Sequence, residues 1–473
     1  MLTLSWSLLV FSVILYEYFL EIMKIASRYL LGAAFLLLVG LFIWAYCMVP
    51  LSVEGSMYLA CAKLWAQGYQ PFADFQWTDC PLGLGLLSVV YWLGGLNTSG
   101  YVILDLMCGL HLLNLFLLYQ AMGQCKISLT GKLLGLIFYL LVLFSLNGLE
   151  VKLQPFVVCF GLLSLLALQK GHMVCSAVWL GVDLLTQEHA ILLLPAMLLL
   201  AYWKKEISLI KYVGVLLAVF LVGYIAVAVL TGQLGWILQL DLFTIDRSST
   251  LFTRESNLVI QVARLSFFFL FLVFAYWDEV DLSVRQYCIV AWVVLGCMAA
   301  FMLLRTDMAI GMVVLPWMTL ALGLLVTELS GKKWVAVAWI SVFLLPAFLM
   351  LREGKKLQFG KVKAEQQANL AELEGLFQKP TFTLPVFLRS SEYAFGPQVY
   401  SEVPNLVPVD LLHPQKEGEE RTEALWRQIK EADVVLMELN AFLHLNNGYN
   451  DEFWEALGDR TERSVGNFML MER

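Results

Sequence analysis

The chain has 473 residues, of which 60% are hydrophobic and 15% charged, and its mean hydropathy is +0.74. Soluble domains run nearer ~45–50% apolar and ~25% charged, so an ordinary soluble fold is excluded, and the lack of any basic, aromatic-interleaved patch argues against nucleic acid as a partner. The whole formal net charge of −7 sits in residues 353–473, where 13 Lys and Arg face 20 Asp and Glu.

Residues 1–28 stand apart from the rest of the chain. Within them, 4–22 (LSWSLLVFSVILYEYFLEI) are apolar but interrupted by Glu17 and Glu21, and Met23-Lys24 offers a second start. A signal-like segment, an extra span and a misplaced start all fit this stretch. Apolar runs then recur over 29–49, 99–122, 133–148, 155–169, 174–187, 189–203, 212–230, 257–277, 284–304, 308–328 and 334–352. About 20 apolar residues are needed to cross a ~30 Å hydrocarbon core; shorter helices tilt or lie partly in the interface. The expectation is an all-α polytopic bundle of about 11 transmembrane helices across 29–352.

Lys and Arg orient it. With residues 24–28 inside, the inner loops hold Lys24, Arg28, Lys126, Lys132, Lys170, Lys204, Lys205, Lys211, Arg285, Lys332 and Lys333. The outer loops, although longer, hold only Lys63, Lys152, Arg247, Arg254 and Arg305. This bias follows the positive-inside rule and places the 50–98 loop, the 231–256 loop and the tail outside.

The 50–98 loop is more than a connector. Residues 57–67 (MYLACAKLWAQ) carry apolar groups at helical spacing, and 82–96 (LGLGLLSVVYWLGGL) are apolar but short and Gly-rich. Both read as juxtamembrane helices. The tail reads as a small soluble α/β domain over 353–473: a polar helix over 361–378, a strand at TFTLPVFLR, an amphipathic helix over 419–432 and a strand at DVVLMEL. All nine Cys precede the tail and none forms a CxxC pair, so they read as small apolar residues.

The outer loop, SVEGSMYLACAKLWAQGYQPFADFQWTDCPLGLGLLSVVYWLGG, resembles the first outer loop of the GT-C membrane glycosyltransferases, of the aminoarabinose transferase and protein-mannosyltransferase-like type. The matching residues are Glu54, Gly55, Tyr58, Ala60, Gly68, Pro71, Phe72, Asp74, Phe75, Pro81, Leu82 and Gly95. Weaker likenesses occur in LEVKLQPFVVCF (149–160) and GVDLLTQEHAILLLPA (181–196). The resemblance implies transfer of a sugar from a polyprenyl-phosphate donor to an envelope acceptor at the outer face of a bacterial inner membrane. Such a reaction needs a general base for the acceptor hydroxyl, or a carboxylate holding a divalent metal. Glu54 is the first candidate, with Asp74 and Asp79 behind it; a bland alternative for Glu54 is a place in a helix N-terminus next to Ser52 or Ser56.

The chain also departs from the family pattern. Val53 stands where the family has the first of an acidic pair, Gln154 replaces an acid of the second outer loop, and Gln187, followed by Glu188 and His189, replaces a phosphate-binding cation. Arg264, Arg305 and His189 are the candidates for meeting the donor phosphate. Arg264 lies about two turns inside its predicted span, where ionisable groups are expensive; snorkelling, or pairing with Asp105 or Asp183, is its alternative. His111 reads as a bundle residue. A second functional reading is a non-catalytic relative that binds polyprenyl lipids or scaffolds an envelope-polysaccharide complex. A transporter would need paired repeats with broken helices, which the sequence lacks.

Overall fold

A computed structural model of the chain describes residues 29–235 and 237 apart from short gaps (52, 73–74, 76, 78, 97, 146–147 and 205–207), then 281–304 and 310–329, and, in the tail, four strands and isolated positions between 361 and 472. The spans expected at 257–277 and 334–352, the 1–28 segment and all but Lys430 of the helix expected over 419–432 lie outside the described residues.

Among the described residues nine of the predicted apolar runs are helical, as α1 (Tyr29–Met48), α4 (Gly100–Gln124), α5 (Leu129–Ser145), α6 (Gln154–Gln169), α7 (Met173–Thr186), α8 (Leu194–Trp203), α9 (Leu209–Thr231), α10 (Leu282–Leu304) and α11 (Ile310–Leu329). Among the described residues, four helices are long and apolar enough to cross a membrane: α1, α4, α9 and Gly311–Glu328 of α11. The two helices expected in the first outer loop are also there, as α2 (Val53–Ala66) and α3 (Pro81–Gly94).

Local chemistry sets the helix ends. Pro81, Pro155 and Pro195 sit in the first turns of α3, α6 and α8, where a missing N–H costs nothing. Ser99 caps α4 by accepting from the Tyr101 N–H at 3.2 Å. The end of α6 is closed by Lys204, whose Nζ donates to the carbonyls of Leu168 and Gln169, each at 2.7 Å. A cation is favourable there because unpaired carbonyls and the helix dipole both attract it.

One span differs from expectation. Residues Glu188–Leu193 form a 3-10 helix, and α-helix begins only at Leu194. Gln187 is extended, with φ −158° and ψ 147°, which breaks the chain away from α7. Pro195 then has no N–H to offer the Ile191 carbonyl, which instead accepts from the Leu194 N–H.

Packing places α11 at the centre, with 83% of its apolar window buried, while α1 and α9 bury only 11% of theirs and present their apolar faces outward, as lipid-facing helices do. α5 and α11 meet through small residues. A methyl group added at Gly131 would lie 2.6 Å from the Gly323 carbonyl oxygen, and one at Gly135 would meet Thr319 at 3.2 Å. Thr327 Oγ1 donates to Ser128 Oγ at 3.2 Å beside this crossing. Close approach of two backbones is how membrane helices gain contact when lipid is as apolar as their side chains. At the ends of the helices opposite the 50–98 loop, Ser164, Ser176 and Tyr212 form a hydroxyl chain tying α6, α7 and α9 together, with 3.1 and 3.2 Å between successive oxygens. His111 is buried against the rings of Phe42 and Tyr46, at 5.8 and 6.0 Å, as a bundle residue would be.

In the tail, β1 (Thr381–Thr383) runs parallel to β2 (Val434–Glu438), which pairs antiparallel with β4 (Phe468–Glu472), and β4 with β3 (Thr461–Val465), in the order β1-β2-β4-β3. The first two match the expected strands. The β3–β4 hairpin adds to them; Gly466-Asn467 between two short strands is its signal in the sequence. Lys363 joins tail to bundle: its Nζ donates to the Cys47 carbonyl at 2.8 Å and stands 4.4 Å over the Tyr101 ring. Cys47 ends α1 and Tyr101 begins α4, so this contact is on the same end of the bundle as the 50–98 loop.

Candidate functional site around the 50–98 loop

The first outer loop is built as helix, turn, helix. Two residues past the end of α2 comes Gly68, whose φ of 101° only glycine adopts without strain. A tight turn comes next, closed by Phe72 N–H donating to the Phe75 carbonyl at 3.0 Å. Phe72 itself takes φ 69°, a costly value for a side chain of that size. The turn is held by burial of both rings, Phe72 at 7% and Phe75 at 0% exposure. Asp74, inside this turn, lies outside the described residues.

Asp79 is fastened back to α2. Tyr58 OH donates to Asp79 Oδ2 at 3.0 Å, and the Tyr58 ring meets Trp77 edge-on at 5.7 Å. Glu54 is the second residue of α2, one turn ahead of Tyr58, and residues four apart stand on one face of a helix. Glu54 is thus a position one turn from Tyr58 in the helix to which Asp79 is fastened. The position of Glu54 also agrees with its bland alternative, since an acid in a first turn is favoured by the helix dipole.

The loop is seated on the end of α7. Cys80 Sγ donates to the Leu184 carbonyl at 3.5 Å. Gly83 lies so close that an added methyl group would be 2.6 Å from the Thr186 carbonyl oxygen and 2.9 Å from Leu153 Cδ1. Three segments therefore converge at Gly83: the first outer loop, the second at Leu153-Gln154, and the third at Thr186-Gln187. Burial pushes the Cys80 thiol well up, and the nearby Glu188 and Asp79 add to the effect. So Asp79 and Glu188 approach the same thiol from opposite segments, and Cys80 stays protonated and inert, as the apolar reading of the cysteines requires.

His189 is buried in the 3-10 helix at 2% exposure, next to Glu188 at 4%. Arg264 and Arg305 lie outside the described residues. In the sequence Lys63 and Lys152 read only as loop charges, yet they are 1% and 7% exposed. Lys152 Nζ stands 3.6 Å from Glu150 Oε2. The signal is thin: a single Lys within MYLACAKLWA, on a helix that is apolar all round, reads the same whether buried or snorkelling. Among the described residues no three His, Cys, Asp or Glu side chains are placed to share a metal ion.

No family model and no curated protein matches the chain. Solved structures do. ArnT from Cupriavidus metallidurans, an aminoarabinose transferase of the GT-C class, superposes with a TM-score of 0.56 in its apo state and 0.55 when bound to undecaprenyl phosphate. In both cases identity is 14%, with 93% of this chain and 97% of the ArnT chain covered. The chain thus shares the fold of ArnT over most of its length.

Proposed function

From a GT-C fold with an ordered, acidic first outer loop, we propose that the protein is a glycosyltransferase. It moves a sugar from a polyprenyl-phosphate-linked donor to an envelope glycan, lipid or protein acceptor at the outer face of a bacterial inner membrane. The observation that carries this reading is the fastening of the loop: Tyr58 holds Asp79, and Gly83 seats α3 on α7. A catalytic carboxylate needs that rigidity, because a misplacement of about 1 Å can cost 10²-fold in rate.

In this reading Glu54 acts as general base, or as ligand to a divalent metal, with Asp74 and Asp79 supporting it. The base takes the acceptor hydroxyl proton, the acceptor oxygen forms its bond to the anomeric carbon, and the bond to the phosphate oxygen breaks. Polyprenyl phosphate leaves with the electron pair, met by Arg264, Arg305 and His189. Residues 353–473 form a soluble α/β domain on the outer face, a placement supported by Lys363 binding the end of α1 that leads into the catalytic loop. A second reading, a non-catalytic relative that binds polyprenyl lipids or scaffolds a polysaccharide complex, is favoured by Val53, Gln154 and Gln187 at positions where the family carries charge.

The protein in lipid vesicles, given undecaprenyl phosphate carrying a sugar and an envelope fraction as acceptor, is expected to release free undecaprenyl phosphate above the rate of empty vesicles. No release from any such donor favours the second reading. Topology has its own test. A reporter fused at residue 205 is expected in the cytoplasm, and reporters at 75 and 420 outside; a cytoplasmic tail would overturn the outer-face reaction.

A further inference from the structure

Two of the segments that meet at Gly83 carry buried amides with unmet hydrogen-bonding capacity. Gln154 is fully buried, and neither its Nε2 nor its Oε1 has a partner among the described residues. Gln187 is 1% exposed and its Oε1 is likewise unpartnered among them. Their neighbours Leu153 and Thr186 both touch Gly83, so the two amides belong to one region at the outer ends of α6 and α7. An unmet buried polar atom is costly, and a folded protein tolerates several together chiefly where something else completes them.

The chemistry of the missing partner can be narrowed. Carboxamides are neutral and combine donor and acceptor character, as sugar hydroxyls do. Glu188, beside Gln187 and 4% exposed, and Asp79 both stand close enough to act on the Cys80 thiol, so a sugar carboxylate would face like charge there. Asp79 and Glu188 already have partners, but Asp183, fully buried one turn before Gln187, has neither carboxyl oxygen partnered among the described residues, so the group that completes this region must donate as well as accept, as a hydroxyl does.

We propose that Gln154 and Gln187 form a subsite for the hydroxyl groups of an uncharged hexose carried on the polyprenyl-phosphate donor. This rests on the glycosyltransferase reading and adds its sugar class. The phosphate stays with Arg264, Arg305 and His189, as in that reading, and the exchange of charged residues for glutamines at 154 and 187 is a change of sugar specificity rather than a loss of the site.

The test uses the full-length protein in lipid nanodiscs and three probes: undecaprenyl phosphate, the same lipid carrying one neutral hexose, and the same lipid carrying an amino sugar. The hexose lipid is expected to bind at least about 10-fold tighter than the bare lipid, the scale of one or two good hydrogen bonds, and tighter than the amino-sugar lipid. In the double variant Gln154→Leu/Gln187→Leu that advantage is expected to vanish while affinity for the bare lipid is kept. The ligand-free variant should melt at or above the wild-type temperature, because leucine removes unmet polar atoms. Equal binding of hexose and bare lipid by the wild type, preference for the amino sugar, or survival of the advantage in the double variant would each overturn the subsite. The last is the result expected if trapped water completes the amides. Failure of all three lipids to bind would overturn the parent reading as well.

Discussion

Glu54→Gln is expected to abolish sugar transfer, by roughly 10²–10⁴-fold in kcat, the usual contribution of one acid–base group. The substitution keeps the side chain's size and removes its charge. Glu54 is the second residue of α2, and the helix is fixed one turn later by Tyr58 and its bond to Asp79. The amide should therefore leave the loop in place, with expression, melting temperature and binding of undecaprenyl phosphate all near wild type. That separation distinguishes a catalytic role from a helix-start role, in which the loss would appear as a fall in stability of about 0.3–1 kcal/mol with activity largely kept. A surface glycan made at normal levels by cells carrying only Glu54→Gln would remove the main support for catalysis.

Gly83→Leu is expected to be the most damaging single change in the outer loop. Its first added atom would already stand 2.6 Å from the Thr186 carbonyl oxygen, which belongs to backbone and cannot swing aside. α3 must lift from α7, at a cost of about 1–3 kcal/mol or more. Because α3 comes directly after Asp79 and Cys80, the shift also carries the Tyr58–Asp79 unit away from Gln187 and His189. The expected result is a lower melting temperature and loss of transfer together. Gly85→Leu makes a useful contrast: a methyl group there meets only the Trp65 ring, at 3.3 Å, and a side chain can give way. Equal damage from both changes would mean that the loop does not depend on its seat on α7.

Apolar length is a strong signal in the sequence, so the spans and the two loop helices were legible there. α2 and α3 appear within a few residues of where MYLACAKLWAQ and LGLGLLSVVYWLGGL place them. What composition cannot carry is who touches whom. Gly83 reads in sequence as one glycine of a flexible apolar stretch, and only the approach of Thr186 makes it a fixed point. Gly131 and Gly135 have the spacing of a helix-crossing pair, but their partners, Gly323 and Thr319, lie almost 200 residues away. Of the candidate site, Asp79 and His189 were named from the sequence as candidates, and the fold brings them to the same end of the bundle. Gln154 and Gln187 stand out in sequence as departures from a pattern; their unmet hydrogen bonds are visible only in three dimensions. The stop at Gln187 is hidden because LTQEHAILLLPA is as apolar as a continuous helix, and Pro195 is the available clue.

That stop has a geometric consequence. α8 has ten residues, about 15 Å at the α-helical rise, half of a ~30 Å hydrocarbon core. The six residues of the 3-10 helix before it advance about 2 Å each and add about 12 Å. The tighter winding thus lengthens a segment too short for a regular membrane helix by about 3 Å. It also sets a depth gauge for Glu188 and His189. Were the same residues wound as α-helix, the pair would be drawn inward by about 3 Å, away from the outer loop and towards the acyl chains. The altitude of these two side chains is thus governed by the pitch of one short coil, which Pro195 helps to maintain.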